Sequence, residues 1–375
     1  MRCDLTETCG GAERTGEVAV ADARTAGHAQ DNVEDNVVGA LLVGSMPLAD
    51  AEAVFRFASE QLGGHLKRMP DGETGARINW TQWQQSVFSA VPALASEIFD
   101  AGYIKRPKFR LKAGATVDDV KFPPLGYAAA AEASYGAFKA LKKAGEIAPG
   151  MKFQVCLPTP IAPTTIFVFP EDQIKLEPLY EAAMLAELDA IVAAIPAADL
   201  AIQWDTAIEF AILEGVLPHA FEKPEADMVS RLVRLGNHVP SGVELGFHLC
   251  YGDSGGRHFK EPEDTSKLVS VANGIVRGLT RQLDWLHLPV PKERADEKYY
   301  EALAGLRLQP KTELYLGLVH TTDGVDGTQK RIAAARKYAA PFGVATECGC
   351  GRRKPETLPE LMRVHRQVSA PLKSK

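Results

Sequence analysis

VELGFHLCYGDSGG, Val243 to Gly256, reads as a buried strand that runs out into a polar, glycine-rich loop. One residue separates His248 from Cys250. Side chains at i and i+2 of a strand point the same way, so an imidazole and a thiol leave this strand's end together. A short apolar run closing on reactive residues, followed by a stretch of helical period, is a βα unit. The fold depends on how often that unit recurs. Eight such runs stand in order: ALLVGSMP from Ala40, GHLKRMPDGE from Gly64, KFQVCLPTP from Lys152, LAIQWDTA from Leu200, VELGFHLCYGD from Val243, LDWLHLPVP from Leu283, ELYLGLVHTTDG from Glu313 and FGVATECGCG from Phe342.

Helix candidates such as DAEAVFRFASEQL, YAAAAEASYGAFKALKKAG, EPLYEAAMLAELDAIVAAI and DTSKLVSVANGIVRGLTRQL lie between them. Eight units predict an α/β fold, a single (β/α)8 TIM barrel, with a doubly wound open sheet as the alternative. The stretch from about Trp80 to Gly150, between the second and third strands, is expected to be an insertion with helices of its own. Residues 1–36 have no apolar period and predict a flexible extension, in which Cys3 and Cys9 are exposed thiols without a role. The barrel domain is expected over residues 37–375.

The chain has 375 residues, 46% hydrophobic and 24% charged, enough apolar surface for a large core. A net charge of −6 without a basic, aromatic-interleaved cluster argues against nucleic acid or an anionic membrane as partner. No apolar run reaches membrane-spanning length, and the N-terminus carries no secretory pattern. Six scattered cysteines do not form a disulfide framework, so a reducing cytoplasm is the expected location. The glycines of GDSGG lack the P-loop lysine and the G-x-G-x-x-G spacing, and no G-x-S-x-G elbow is present.

The reactive residues stand at the C-terminal ends of the runs: Ser45, Asp71 and Glu73, Asp205, His248 and Cys250, His287, His320, and Cys348. In a barrel these ends meet on one face, where active sites lie. Imidazole and thiolate are both zinc ligands, and a catalytic zinc keeps three protein ligands and one exchangeable position. Cys348 is the natural third ligand, preferred to Cys350 because Gly349 and Gly351 turn the chain between and beyond them. His287 reads equally as a further ligand or as a hydrogen-bonded histidine of the pocket. Asp71 and Glu73, in MPDGETGARINW, read as a substrate-binding loop or as ordinary turn chemistry.

VGSMP, IQWD, FHLCYGD, LGLVHTTDG and ECGCGRR stand in the order of the catalytic C-terminal domain of cobalamin-independent methionine synthase. The chain resembles that family from about Ala40 onward. The resemblance implies the barrel shared with uroporphyrinogen decarboxylases and a Zn2+ ion held by His248, Cys250 and Cys348. It also implies a role for Asp205 in holding the amino-acid thiol, a place for Ser45 in the family's G-S-F-P segment, and a proton-donor role for His320. The family's glutamate ligand falls in LDWLHLPVP, where His287 stands, and its D-E-P triplet is Asp205-Thr206-Ala207 here. The duplicated N-terminal barrel that contributes to folate polyglutamate binding in full-length synthases has no counterpart in this sequence. The similar single-barrel epoxyalkane:coenzyme M transferases activate a different thiol on the same kind of zinc.

The expected activity is therefore zinc-dependent transfer of a methyl or alkyl group to a small-molecule thiol, with a folate as one possible donor. The alternatives are an epoxyalkane:coenzyme M transferase-like enzyme, a metal-free uroporphyrinogen decarboxylase-like lyase using Asp205 and arginines, and a non-enzymatic zinc- or thiol-binding barrel.

Overall fold

The computed structural model describes residues 37–100, 105–252 and 258–373, all within one compact unit, Glu34–Lys375. The expected flexible extension with Cys3 and Cys9, and Asp253 to Gly256 of the glycine-rich loop, lie outside the described residues. The chain runs β1 (Val37–Leu41), α1 (Ala51–Leu62), β2 (Arg68–Pro70), α2 (Gln85–Ser89), β3 (Leu94–Asp100), β4 (Lys105–Leu111) and α3 (Tyr127–Lys143). It continues through β5 (Lys152–Pro158), α4 (Ile161–Phe167), α5 (Pro170–Ala194), β6 (Leu200–Asp205), α6 (Ile208–Leu213), α7 (Pro224–His238), β7 (Glu244–His248) and α8 (Ser266–Gly278). The last elements are β8 (Trp285–Pro289), α9 (Glu297–Tyr300), β9 (Glu313–Gly317), α10 (Gly324–Ala335), β10 (Phe342–Ala345) and α11 (Leu358–Val368).

Eight strands form one curled, all-parallel sheet in the order β1-β10-β9-β8-β7-β6-β5-β2. This is the cyclic order of a TIM-like barrel, with helices in the connections. The ladder is interrupted at one seam, between β1 and β2. There the chain meets itself just past the strands' C-terminal ends, where the Met46 N–H donates to the Gly72 carbonyl at 2.8 Å. The Gln154 and Gln203 side chains reach from β5 and β6 to the Val43 carbonyl at 3.4 and 2.6 Å.

The opposite end is plugged. Arg68, Glu244, Trp285 and Glu313 are the first residues of β2, β7, β8 and β9. The buried Arg68 guanidinium bonds Glu244 at 2.6 Å and Glu313 at 3.0 Å, and lies 4.2 Å over the Trp285 ring. Gly246, in register with Trp285, makes room for the indole: a Cβ at residue 246 would come within 1.9 Å of it. With one end filled by ion pairs and aromatic rings, the C-terminal end is left for chemistry.

The segment between β2 and β5 holds the helices α2 and α3 and an antiparallel hairpin, β3–β4. Helix α3 is anchored to α5 by the buried Glu187, whose carboxylate accepts the Leu125, Gly126 and Ala128 N–H groups at 2.6, 3.2 and 2.6 Å. That anchoring fixes Ser134 of α3 against the site, where its hydroxyl donates to Asp71 at 2.7 Å.

Candidate metal centre and active site

The end of β7 delivers His248, and Cys250 follows two residues on. The loop after β10 delivers Cys348. One ring nitrogen and the two sulfurs lie within 4.8 Å of one another. Cys250 is fixed by its own backbone: its N–H donates to the Thr206 hydroxyl at 3.3 Å, and its sulfur accepts the Gly252 N–H at 3.3 Å. Gly252 has φ +78° and lies against Phe259, so close that a Cβ would come within 2.4 Å of the ring. Glycine is the residue that accepts both conditions. Cys350 is buried in the hydrophobic core and is not among the three donors; its N–H donates to the Ser45 carbonyl at 2.6 Å.

Ser45 lines the cavity beside this loop and accepts the Gly351 N–H on its hydroxyl at 3.2 Å. A Cβ at Gly349 would come within 2.3 Å of that hydroxyl, so the small residues flanking Cys350 let the β10 loop close on the β1 loop.

His287 stands behind His248. Its Nδ1 is 2.6 Å from His248 Nδ1, and its Nε2 bonds the Thr346 carbonyl at 3.0 Å. Both nitrogens are engaged, and His287 is not one of the clustered donors. Burial pulls the His248 pKa well below the ordinary imidazole value, reinforced by His287, and pulls His287 down to about 3. Both rings are neutral at physiological pH. His248 Nε2 is buried and has no hydrogen-bond partner among the described residues.

A second cluster adjoins the first: Glu73, Cys156 and Asp205, all buried, also hold their polar atoms within 4.8 Å of one another. Asp71 does not line the cavity. Its carboxylate accepts the Glu73 N–H at 2.9 Å, pairs with Arg77 at 2.6 Å and takes the Ser134 hydroxyl. These bonds hold a tight turn in which Gly72 has φ +77° and Glu73 φ +48°, aiming Glu73 into the cavity. Asp205 accepts from the Gln203 amide at 2.8 Å. Burial, then the Asp71 carboxylate, raises the Glu73 pKa to about 8, while Arg77 and Arg352 work against the shift. Burial, then Glu73, raises Asp205 well above the ordinary carboxylate range. Such a pair favours a cationic guest.

His320 lies off the cavity wall. Its Nε2 bonds the Val290 carbonyl at 2.9 Å and stands 3.8 Å from Glu347. Burial, then Arg331, lowers its pKa to about 3, so the expected proton donor is a neutral imidazole one layer back.

The cavity itself is about 670 Å3. His248, Cys250, Cys348, Glu73 and Asp205 form its floor, and Trp80, Phe99, Ile166, Leu217 and Phe259 are among its apolar walls. Arg106 and Lys108, on strand β4 of the hairpin, add positive charge. Lys108 donates to the Thr165 and Val168 carbonyls at 2.8 and 3.1 Å, which pins the hairpin to α4. The sequence reading missed these hairpin residues and Gln203. A glutamine inside the apolar run LAIQWDTA was the available signal for the latter.

No family profile matches the sequence, and no curated protein matches it. Solved structures do match. A structural-genomics target from Listeria monocytogenes, named for vitamin-B12-independent methionine synthase, is 14% identical with a TM-score of 0.54, over 89% of this chain and 100% of that one. A B12-independent methionine synthase from Shewanella sp. W3-18-1, solved with selenomethionine, is 13% identical with a TM-score of 0.53, over 89% and 97%. A methyltransferase from Methanosarcina mazei is 13% identical with a TM-score of 0.50, over 89% and 93%. What this chain shares with these three, at such identities, is their fold.

Proposed function

We propose that the chain is a zinc-dependent transferase that moves a methyl or larger alkyl group onto the sulfur of a small-molecule thiol. The observation that carries the reading is the meeting of His248, Cys250 and Cys348 on the floor of one cavity, with His248 Nε2 buried and without a hydrogen-bond partner among the described residues. The donor set fits zinc, which takes imidazole nitrogen and thiolate sulfur in tetrahedral sites and needs a fourth, exchangeable position for catalysis. Bound there, zinc supplies the positive charge that makes a coordinated substrate thiol give up its proton near neutral pH. Two thiolates leave little net charge on the ion, which suits a nucleophilic sulfur better than an activated water.

Glu73 and Asp205 bind the substrate's ammonium group beside the sulfur, so an amino-acid thiol such as homocysteine fits the floor. The sulfonate of coenzyme M would face two carboxyl groups. The apolar walls with Arg106 and Lys108 at hand suit a ring-bearing, anionic methyl donor such as a folate. The shared fold with proteins named for methionine synthase and methyltransferase activity supports the reading, as does the Shewanella protein's complex with selenomethionine. Cys156 and Cys250 are free thiols, which suits a reducing compartment such as the cytoplasm.

Metal analysis of the purified protein, beside turnover with homocysteine, cysteine, coenzyme M and glutathione, tests the proposal. We expect one zinc per chain and turnover that depends on an amino-acid thiol. Cys250→Ala and Cys348→Ala are expected to lose most of the zinc and nearly all turnover while staying folded. Full activity in zinc-free Cys250→Ala would end the proposal, and zinc-free turnover without any thiol would point to a lyase.

A further inference from the structure

We infer that His287 is a positioning residue: it fixes the tautomer of His248, leaving His248 Nε2 as the bare nitrogen offered to the ion, and is not itself a ligand. The inference rests on the zinc reading above. The Thr346 carbonyl can only accept, so His287 Nε2 carries a hydrogen and donates it at 3.0 Å. A neutral imidazole has one N–H, so His287 Nδ1 holds a lone pair. At 2.6 Å from His248 Nδ1, that lone pair faces an N–H, since two lone pairs or two hydrogens would repel at this distance. The hydrogen is therefore on His248 Nδ1, and His248 Nε2 is bare. That is the buried atom without a partner among the described residues.

Metal-bound histidines are held in this way by an acceptor on the second nitrogen, usually a carboxylate, carbonyl or water. Here an imidazole takes that place and is itself oriented by a backbone carbonyl. Thr346 also ties in the third ligand, because its hydroxyl donates to the Cys348 carbonyl at 2.7 Å. His287, on β8, thus links the end of β7 to the loop after β10 that carries Cys348. The clustered donors are His248, Cys250 and Cys348, and His287 is not among them.

Three proteins test this: the wild type, His287→Ala and His287→Gln. A glutamine amide has one acceptor and one donor about as far apart as the two ring nitrogens. Turned correctly, it accepts from His248 and donates to Thr346. Zinc affinity is measured by competition with a chromophoric chelator, and ligand number and type by X-ray absorption and cobalt(II) spectra. The tautomer is read by long-range 1H–15N spectra of 15N-histidine-labelled protein, with and without zinc.

We expect His287→Ala to keep the same nitrogen and sulfur ligands while affinity falls 10- to 100-fold, and His287→Gln to recover most of the loss. The wild-type spectra should show a hydrogen on His248 Nδ1 even before zinc is added. Loss of a nitrogen ligand in His287→Ala, equal affinity in all three proteins, or a hydrogen on His248 Nε2 would each overturn the inference. If the wild type binds no zinc at all, the function proposed above fails, and the zinc-free tautomer spectrum still decides the proton placement. Should His287→Ala not fold, the comparison of wild type with His287→Gln and the wild-type spectra suffice.

Discussion

Asp71 and Glu73 follow β2 and Asp205 ends β6, one strand removed, and their surroundings give these three carboxyl groups different work. Asp71 is held by Arg77, Ser134 and the Glu73 N–H, and it shapes the turn. Glu73 and Asp205 face each other in a buried place, where burial and then nearby carboxylates push Glu73 to about 8 and Asp205 upward. A bound ammonium would meet both. Glu73→Gln and Asp205→Asn are therefore expected to keep full zinc content while raising KM for homocysteine about 10- to 100-fold, the scale of a lost charge-assisted hydrogen bond. KM for thiols without an amine should move far less, and an equal effect on both kinds of thiol would refute the subsite. At this scale the sequence disclosed the His-x-Cys pair because both residues lie in one run. It could not disclose that Asp71 supports Glu73, or that both nitrogens of His287 are engaged. Those facts depend on Arg77, Ser134, His248 and Thr346 meeting in three dimensions.

The eight sheet strands were legible as elements because strands covered on both faces read as near-continuous apolar runs. LAIQWD of β6 and WLHLP of β8 are wholly buried. The β3–β4 hairpin was not legible, since LASEIFD and KRPKFRL mix charged and apolar residues and pair with each other at the surface. Ile98 there is 59% exposed, which is why no core pattern betrayed the strand. Helix α5 begins at Pro170, seven residues before the stretch read from Glu177, because Pro178 mimics a helix start while lying inside the helix. Packing between elements makes its own prediction at Gly246 of β7. Its φ is ordinary, so the obstacle to a side chain is the Trp285 indole, itself held under Arg68. Gly246→Ala should lower the unfolding free energy by about 1–3 kcal/mol through overpacking, read as a lower urea midpoint. Adding Trp285→Leu should recover part of that loss, a coupling that two independent sites would not show.

For the molecule as a whole, recognising a repeated βα unit was enough to bring residues as distant as Ser45 and Cys348 to one face, since the cyclic strand order does that by itself. The unladdered seam between β1 and β2 and the ionic plug at the opposite end were not visible, because each depends on pairing between residues far apart in the chain. The buried titratable groups of the site and the helical shell set how the fold responds to pH. In the folded, zinc-free chain Glu73 keeps its proton up to about pH 8, whereas in the unfolded chain it loses it near 4.5. Between those values the folded state binds the extra proton, so raising the pH favours unfolding, and this contribution is fully present only below about 4.5. His320 and His365 act in the opposite sense. Burial, foremost, lowers them to about 3 and about 4, so below 6.5 the unfolded chain takes up protons that the folded chain refuses, and stability falls as the pH drops. The two limbs place the greatest stability at mildly acidic pH. Glu73→Gln removes one of the groups of the alkaline limb, which Asp205 shares, and leaves the histidines alone. Urea unfolding of zinc-free wild type and Glu73→Gln from pH 5 to pH 8 should show the variant gaining on the wild type as pH rises, by at most about 1.4 kcal/mol per pH unit. Below pH 5 the two curves should run in parallel, and parallel curves over the whole range would show that Glu73 ionises as an ordinary carboxylic acid in the folded chain.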